Sequence, residues 1–389
     1  MEKERIKIFD TTLRDGEQTP GVAFRAKDKL SLAFQLEKLG VDVIEAGFPA
    51  NSQKESEAVS AVALQVRKPS ICALARAIPE DIDIAWKSVQ DAKNPRIHVF
   101  ISSSDIHLAH QLKKDKREVL EMAVSGVKRA KTYCNDIEFS AMDATRSDRK
   151  FLYELIEATI QAGATTINVP DTVGFAIPGE FALLIKNILN GKNIPSIKKI
   201  TLSVHCHNDL GNAVSNSLAA VKEGVRQVEC CVNGIGERAG NAALEEVVMS
   251  IHTRADWFNA CTGIEMGQIY STSKMVEEIT GIPICQNKPI VGENVFTHES
   301  GIHQDGVLKN SNTYEIMDSK VVGRFGSEII IGKTSGKNGI SAKLSKLGFD
   351  FDRESPEFDF VYKEIRGRIV EGSITDDEIK KIIKSCKSR

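Results

Sequence analysis

The chain has 389 residues, enough for one large domain plus an appendage, and its 41% apolar and 27% charged content is that of a soluble globular protein. A net charge of −2 gives no electrostatic reason to expect nucleic acid or a membrane surface as partner, and no apolar run approaches the ~18 residues that span a bilayer. Met1-Glu2-Lys3-Glu4-Arg5 is no apolar leader, and the eight cysteines are scattered without a Cys-x-x-Cys, so a cytoplasmic, reducing setting is expected.

From Ile6 to about Arg254 short β-branched runs alternate with helical patterns. The first run, 6–12, leads into Thr11-Thr12-Leu13-Arg14-Asp15-Gly16-Glu17-Gln18, and 28–39 then carries a helical stripe of Leu30, Ala33, Phe34, Leu36 and Leu39. Further strands are predicted at 41–47, 70–76, 96–102, 136–141, 165–170, 200–207 and 227–233, with helices at 117–131, 149–161 and 213–223 among those between them. Gly40, Gly163 and Gly224 each follow a helical pattern and precede a strand, as helix C-caps do. Eight strand–helix units in about 250 residues match an α/β fold of the (β/α)8 TIM-barrel type; a doubly wound open sheet is the competing architecture.

After Trp257 the alternation stops. Gly281-Ile282-Pro283 and Asn287-Lys288-Pro289 are turn signals, and Gly332-Lys333-Thr334-Ser335-Gly336 precedes two or three helical patterns. The chain therefore reads as a barrel over 1–280, a connecting subdomain over 281–327 that covers the active site, and a small helical subdomain over 328–389. Gly332-Lys333-Thr334 lacks the first glycine of a phosphate loop, which would stand at Ser327, and Gly234-x-Gly236 lacks the third glycine of a dinucleotide fingerprint.

The chemistry-bearing motifs fall at strand ends. His205-Cys206-His207-Asn208-Asp209 closes the seventh strand, and alternation sends His205 and His207 to one face and Cys206 to the other, as a packed thiol. Gly234-Ile235-Gly236-Glu237-Arg238-Ala239-Gly240-Asn241 follows the eighth. Taken singly, Arg14–Asp15 reads as a structural ion pair, and His205-x-His207 reads equally as a metal-ligand pair or as structural histidines. In a closed barrel, however, strands one, seven and eight are neighbours, and active sites lie at the carboxyl ends of strands. Two imidazoles and the Asp15 carboxylate then suffice to hold a divalent metal with open positions, with Arg14 beside it to stabilise an oxyanion or enolate. The same rule nominates Glu45, Arg76, Ser140, Asp143 and Thr172 as cavity-lining. A non-haem iron oxygenase shares the two-His, one-carboxylate set, but eight βα units argue against it.

These residues, with Ser300-Gly301-Ile302-His303-Gln304-Asp305-Gly306, resemble the acyl-CoA-condensing branch of the metal-dependent barrel lyases, and within it the 2-isopropylmalate synthases, from about residue 5 through 340. The resemblance implies a Claisen-type condensation of acetyl-CoA with 2-oxoisovalerate and thioester hydrolysis, as in leucine biosynthesis. Citramalate synthesis from pyruvate and a catalytically silent metal- or metabolite-binding barrel are the alternatives. Asp15, His205 and His207, with Asn241 close by, would hold Mg2+, Mn2+ or Zn2+. Arg14 would polarise the keto oxygen; Leu74, His98, Ser140 and Thr172 would border the oxoacid side chain; Glu237, His303 and Tyr314 would move protons or activate water. The family also implies a homodimer whose active site is completed in trans by the segment after 281, with apolar positions at Val291, Val295, Phe296, Ile302 and Val307. Two departures stand out. Met142 occupies the position, two after Ser140, where the family commonly has Glu, and the sequence stops at Arg389 where relatives run on into a leucine-binding regulatory domain, so no inhibition by leucine is expected.

Overall fold

The computed structural model describes residues 3–369 and 372–387, and the chain divides into two compact units, 1–283 and 284–389. In the first, eight parallel strands close into a barrel: β1 (Lys7–Asp10), β2 (Val43–Gly47), β3 (Ser70–Arg76), β4 (Pro95–Ser102), β5 (Ile137–Met142), β6 (Thr166–Asp171), β7 (Thr201–Cys206) and β8 (Gln227–Cys230). Closure is made by β1 on β8, with Lys7 opposite Gln227 and Phe9 opposite Glu229. The eight expected strands all form, within a few residues of their predicted bounds.

The differences at the ends have local causes. β1 stops at Asp10 because the Asp10 carboxylate accepts hydrogen bonds from the Thr12 amide and hydroxyl, turning the chain away from the ladder. β8 stops at Cys230, and the Val232 amide donates to Thr12 Oγ1, tying the end of β8 to the end of β1. His207 lies just beyond β7 yet stays extended, bridged to Asn241.

The helices between strands start where side chains satisfy their free N–H groups. Asp115 caps α4 (Lys116–Lys131) in a reciprocal pair with Glu118, and Asp148 caps α5 (Arg149–Ala162); α1 (Ala26–Leu39), α2 (Gln53–Gln65) and α3 (Pro79–Val89) precede them. Gly40, Gly163 and Gly224 close their helices with positive φ, as expected. The apolar stripe of α1 is shifted from the predicted one: Leu32, Ala33, Leu36 and Leu39 face inward and Phe34 is exposed. Lys29 is buried on the same face, because its ammonium is held by Glu17 at 2.7 Å and Glu55 at 2.6 Å.

Inside the barrel the layers are polar on one side. At the amino ends of the strands, Arg96 donates to Glu138 and Gln227, both at 2.9 Å, and Gln227 donates on to Glu138 and Ser203. Phe9, Val43 and Cys72 form the apolar side of this floor. The seats above it are taken by Glu45, His98, Ser140, Asn168, His205 and Glu229.

The second unit has its own core of Ile331, Ile340, Leu344, Phe358, Val361, Ile365, Ile379, Ile382 and Ile383, supplied largely by helices Lys337–Lys346, Pro356–Arg368 and Asp376–Lys387. Gln304, fully buried on helix Gly301–Lys309, donates to the carbonyls of His298 and Ile330 and so joins the polar segment before Ser327 to the part after it. Val291 and Phe296, expected on a protruding arm, are buried, whereas Ile302 is 75% exposed.

Candidate metal centre and active site

Asp15, His205 and His207 come together at the carboxyl ends of β1 and β7. The two Nε2 atoms are 3.0 Å apart, and Asp15 Oδ2 lies 3.3 Å from one and 3.6 Å from the other. Three ligands on one face of an octahedral cation at ~2.1 Å from it would stand ~3.0 Å apart; the observed triangle has nearly those edges. All three residues are buried. Asn241, also buried, has its amide nitrogen bonded to the Ile235 carbonyl, while its Oδ1 meets no donor among the described residues. Gly236 makes this packing possible, since a Cβ there would collide with the Asn241 amide. Donor types, spacing and an unpartnered buried oxygen all fit a divalent cation.

The electrostatics follow from crowding. Burial alone would raise the Asp15 carboxyl, but Arg14 and then His205 hold it well below the usual range. Burial would lower the His205 imidazolium; hydrogen bonds to Asp15 and Glu229 overcome this and push it up to about 9. His207, disfavoured by burial and then by charge on His205, drops to about 3. One imidazole is thus already neutral, the form in which histidine ligates a metal.

Arg14 donates to Asp15 Oδ2 at 3.0 Å and to Glu45 Oε2 at 2.7 Å. Glu45 is itself fixed by Thr11 Oγ1 at 2.6 Å and His98 Nδ1 at 2.8 Å, and His98 Nε2 continues to Ser140 Oγ at 2.7 Å, which accepts from Asn168 Nδ2. A cavity of about 210 Å3 opens above this network, lined by Arg14, Asp15, His98, Ser140, Thr172 and Glu237 with Phe48, Leu74, Phe100, Met142 and Pro170 as its apolar wall.

Of the sequence-nominated residues, Arg14, Asp15, Leu74, His98, Ser140, Thr172, His205, His207 and Glu237 meet around this cavity, and Asn241 packs beside it. Glu45 lies beneath it rather than on its wall. Arg76 is turned outward to Asp81, and Asp143 is folded back onto Ser104 and Arg146; neither lines the cavity. His303 and Tyr314 belong to the second unit, where their rings pair at 4.2 Å between centroids. Sequence reasoning missed Asn168 and Glu229, which lie inside their strands rather than in the loops beyond them. Arg238 was quoted only within its motif; it bridges Asp209 and the Thr172 carbonyl across the mouth.

Residues 5–276 match the HMGL-like family, and 290–369 match the homocitrate synthase post-HMGL domain-like family. The 2-isopropylmalate synthase of Carboxydothermus hydrogenoformans is 52% identical over 387 residues, covering 97% of this chain and 75% of that one. The 2-isopropylmalate synthase of Acetivibrio thermocellus is 56% identical over 350 residues, covering 90% and 68%. That of Pyrococcus furiosus is 54% identical, covering 97% and 75%. The HMG-CoA lyase of Bacillus subtilis superposes with a TM-score of 0.62 at 21% identity, over 73% of this chain and 97% of that one, a likeness of fold. The chain belongs to the HMGL-like family and, within it, to the 2-isopropylmalate synthases.

Proposed function

We propose that this chain is an acyltransferase that joins the methyl carbon of acetyl-CoA to the keto carbon of 2-oxoisovalerate and hydrolyses the thioester, consuming water and giving 2-isopropylmalate and free CoA. The observation that carries the reading is the Asp15–His205–His207 triangle with Arg14 against it, in a cavity whose far wall is apolar. Its volume is below the ~300 Å3 low end of drug-sized sites, so it suits a small acid rather than a whole coenzyme.

Asp15, His205 and His207, with Asn241 close by, would hold Mg2+, Mn2+ or Zn2+. When bound, the cation supplies Lewis acidity toward the oxoacid. Arg14 faces the keto oxygen and neutralises the alkoxide as the new carbon–carbon bond forms, a role suited to a guanidinium already fixed by Glu45. His98 and Ser140, locked to each other, border the oxoacid with Leu74 and Thr172, and Met142 adds an apolar surface where a carboxylate is commonly found. Of the two guanidinium groups of the wall, Arg238 is committed to Asp209 and Arg14, held by Asp15 and Glu45, is taken by the keto oxygen, which leaves neither for a second carboxylate and favours a monocarboxylic oxoacid. Glu237 at the cavity, and His303 with Tyr314 packed against it, are the groups for taking the methyl proton and activating water.

We assign His303 and Tyr314 to a segment, 281–327, that covers the barrel of a second copy in a homodimer, the 328–389 part being a small helical subdomain. In support, Ile302 and Ile316, which flank the His303–Tyr314 pair, are 75% and 78% exposed, an apolar surface of the kind partners bury. All eight cysteines are unpaired, in keeping with a reducing cytoplasm; among the described residues no helix is long and apolar enough to cross a membrane.

The test is a comparison of kcat/KM for pyruvate, 2-oxobutyrate, 2-oxoisovalerate and 2-oxoglutarate, read as CoA thiol release with acetyl-CoA and Mg2+ or Mn2+. 2-Oxoisovalerate should lead. A methylene in an apolar pocket is worth only about 1–3 kcal/mol, so the margin over 2-oxobutyrate will be modest. A preference for pyruvate would reassign the chain to citramalate synthesis, and no thiol release with any acid would leave a silent barrel.

A further inference from the structure

Behind His205 lies a buried carboxylate that belongs to none of the three loop motifs. Glu229 stands on β8 opposite His205 of β7 and is 1% exposed. Its Oε2 lies 3.0 Å from His205 Nδ1 as an ion-pair contact, and neither of its oxygens accepts a well-aligned hydrogen bond among the described residues. The alternatives nearby are already used. Both nitrogens of His98 are committed, to Glu45 and Ser140, and the oxygens of Glu138, a third carboxylate of this interior, accept from Gln227 and Arg96. Burying an anion without a full set of donors is expensive, and an aliphatic side chain of similar size would fill the seat more cheaply. The carboxylate is therefore accounted for by what it does to the one ring it faces. Among the described residues His207 has no carboxylate within ion-pair distance of its Nδ1, so the two imidazoles are not equivalent.

We infer that Glu229 is a positioning residue for the metal centre: its carboxylate, 3.0 Å from His205 Nδ1, keeps the proton on that nitrogen, which fixes the tautomer and ring angle that aim Nε2 at the point shared with Asp15 and His207. A ligating histidine oriented by a carboxylate on its other nitrogen is a more basic and better-placed ligand. The inference rests on the reading of Asp15, His205 and His207 as that centre.

The experiment is Mn2+ titration of the EDTA-treated full chain by calorimetry, with thermal melts of the metal-free protein alongside. Glu229→Leu removes the acceptor and should weaken Mn2+ binding about 10–100-fold, the range for losing such a partner. Its metal-free melting temperature should stay within about 5 °C of the parent's, because His205 keeps Asp15 as a counter-charge. Glu229→Gln, which keeps an acceptor oxygen, should recover most of the affinity. Parent-like Mn2+ affinity in Glu229→Leu overturns the inference. So does Glu229→Gln no better than Leu, which would make charge rather than orientation the cause. A metal-free melting temperature lowered by more than about 5 °C would assign Glu229 to the fold and overturn it too. A parent chain that binds no Mn2+ would instead fail the underlying reading of the metal centre.

Discussion

Removing the Arg14 guanidinium separates what it does for the fold from what it does for the reaction. Its side chain is 12% exposed and lies between two carboxylates, 2.7 Å from Glu45 and 3.0 Å from Asp15. Breaking a buried pair by deleting one partner costs about 3–5 kcal/mol, because a charge is left without its counterion. Here the lower end applies. Glu45 keeps Thr11 and His98, and Asp15 keeps the Glu237 amide. A loss of about 3 kcal/mol lowers the melting temperature of a domain this large by roughly 6–12 °C. The turnover effect is independent of that figure: losing one donor to a developing oxyanion costs about 10²–10³ in kcat. Arg14→Ala should therefore melt early and turn over slowly, while Mn2+ binding survives because Asp15, His205 and His207 remain. Arg14→Lys retains the charge without the planar fork that reaches both carboxylates, so it should recover melting temperature more than kcat. Thermal melts and saturating thiol-release assays on both variants decide the matter. Arg14→Ala with kcat within about threefold of the parent would remove the alkoxide role, whatever its stability.

The pH dependence of stability offers a second check. Burial pushes the Asp10 carboxyl up to about 7, against the hydrogen bonds from Thr12 that lower it; between about pH 4 and 7 the native state thus holds a proton that the unfolded chain releases, so this group's contribution falls as pH rises, by up to about 4 kcal/mol at ~1.4 per unit. Asp10→Asn should flatten the melting temperature between pH 5 and 8 relative to the parent, and parallel curves would refute the assignment. For the dimer, mixing Asp15→Ala with His303→Ala chains under conditions of proven subunit exchange should restore up to about a quarter of parental activity if sites are completed in trans; none would return if each barrel is covered by its own chain.

The legible part of this molecule was its periodicity and its loop motifs. β-Branched runs gave all eight strands, and residues at strand ends such as Arg14, His205 and Glu237 announced themselves because polar groups there have no role in a ladder. The illegible part lies inside the strands. Arg96, Glu138, Gln227 and Glu229 look like the solvent-facing members of alternating strands, and barrel interiors are usually packed with branched aliphatics. What turns the first three inward is mutual satisfaction, whereas Glu229 faces His205. Arg96 finds Gln227 from 131 positions away, and Gln227 finds Glu138 from 89, pairings that no local window contains. Lys29 misled the stripe on α1 for the same reason, its two carboxylate partners lying in the loop after β1 and on α2. Arg76 and Asp143 erred the other way: each sits at a strand end but is captured by a near neighbour in sequence, Asp81 or Arg146, before it can reach the cavity.

The same contacts explain why the metal-holding side of the mouth is the better-braced one. Asp15 follows a turn pinned by Asp10 to Thr12 and by Thr12 to Val232, so the ends of β1 and β8 are tied together before any ligand arrives. The turn carrying Arg14 and Asp15 is followed by Glu17, which Lys29 anchors to α1 and α2 from a fully buried position. Across the mouth, Arg238 holds Asp209 through a pair that is 39% and 27% exposed, with Arg238 itself at a positive φ of 53°. A pair that open to water contributes about 0–1 kcal/mol, whereas breaking the buried pairs around Arg14 by losing one partner costs several. A cation centre must hold its donors to within a few tenths of an ångström, whereas the mouth must admit a coenzyme thioester far larger than the cavity floor. The distribution of buried and exposed ion pairs matches that division: stiffness is placed at Arg14, Asp15 and His205, and the weak clasp lies between the loops that follow β7 and β8.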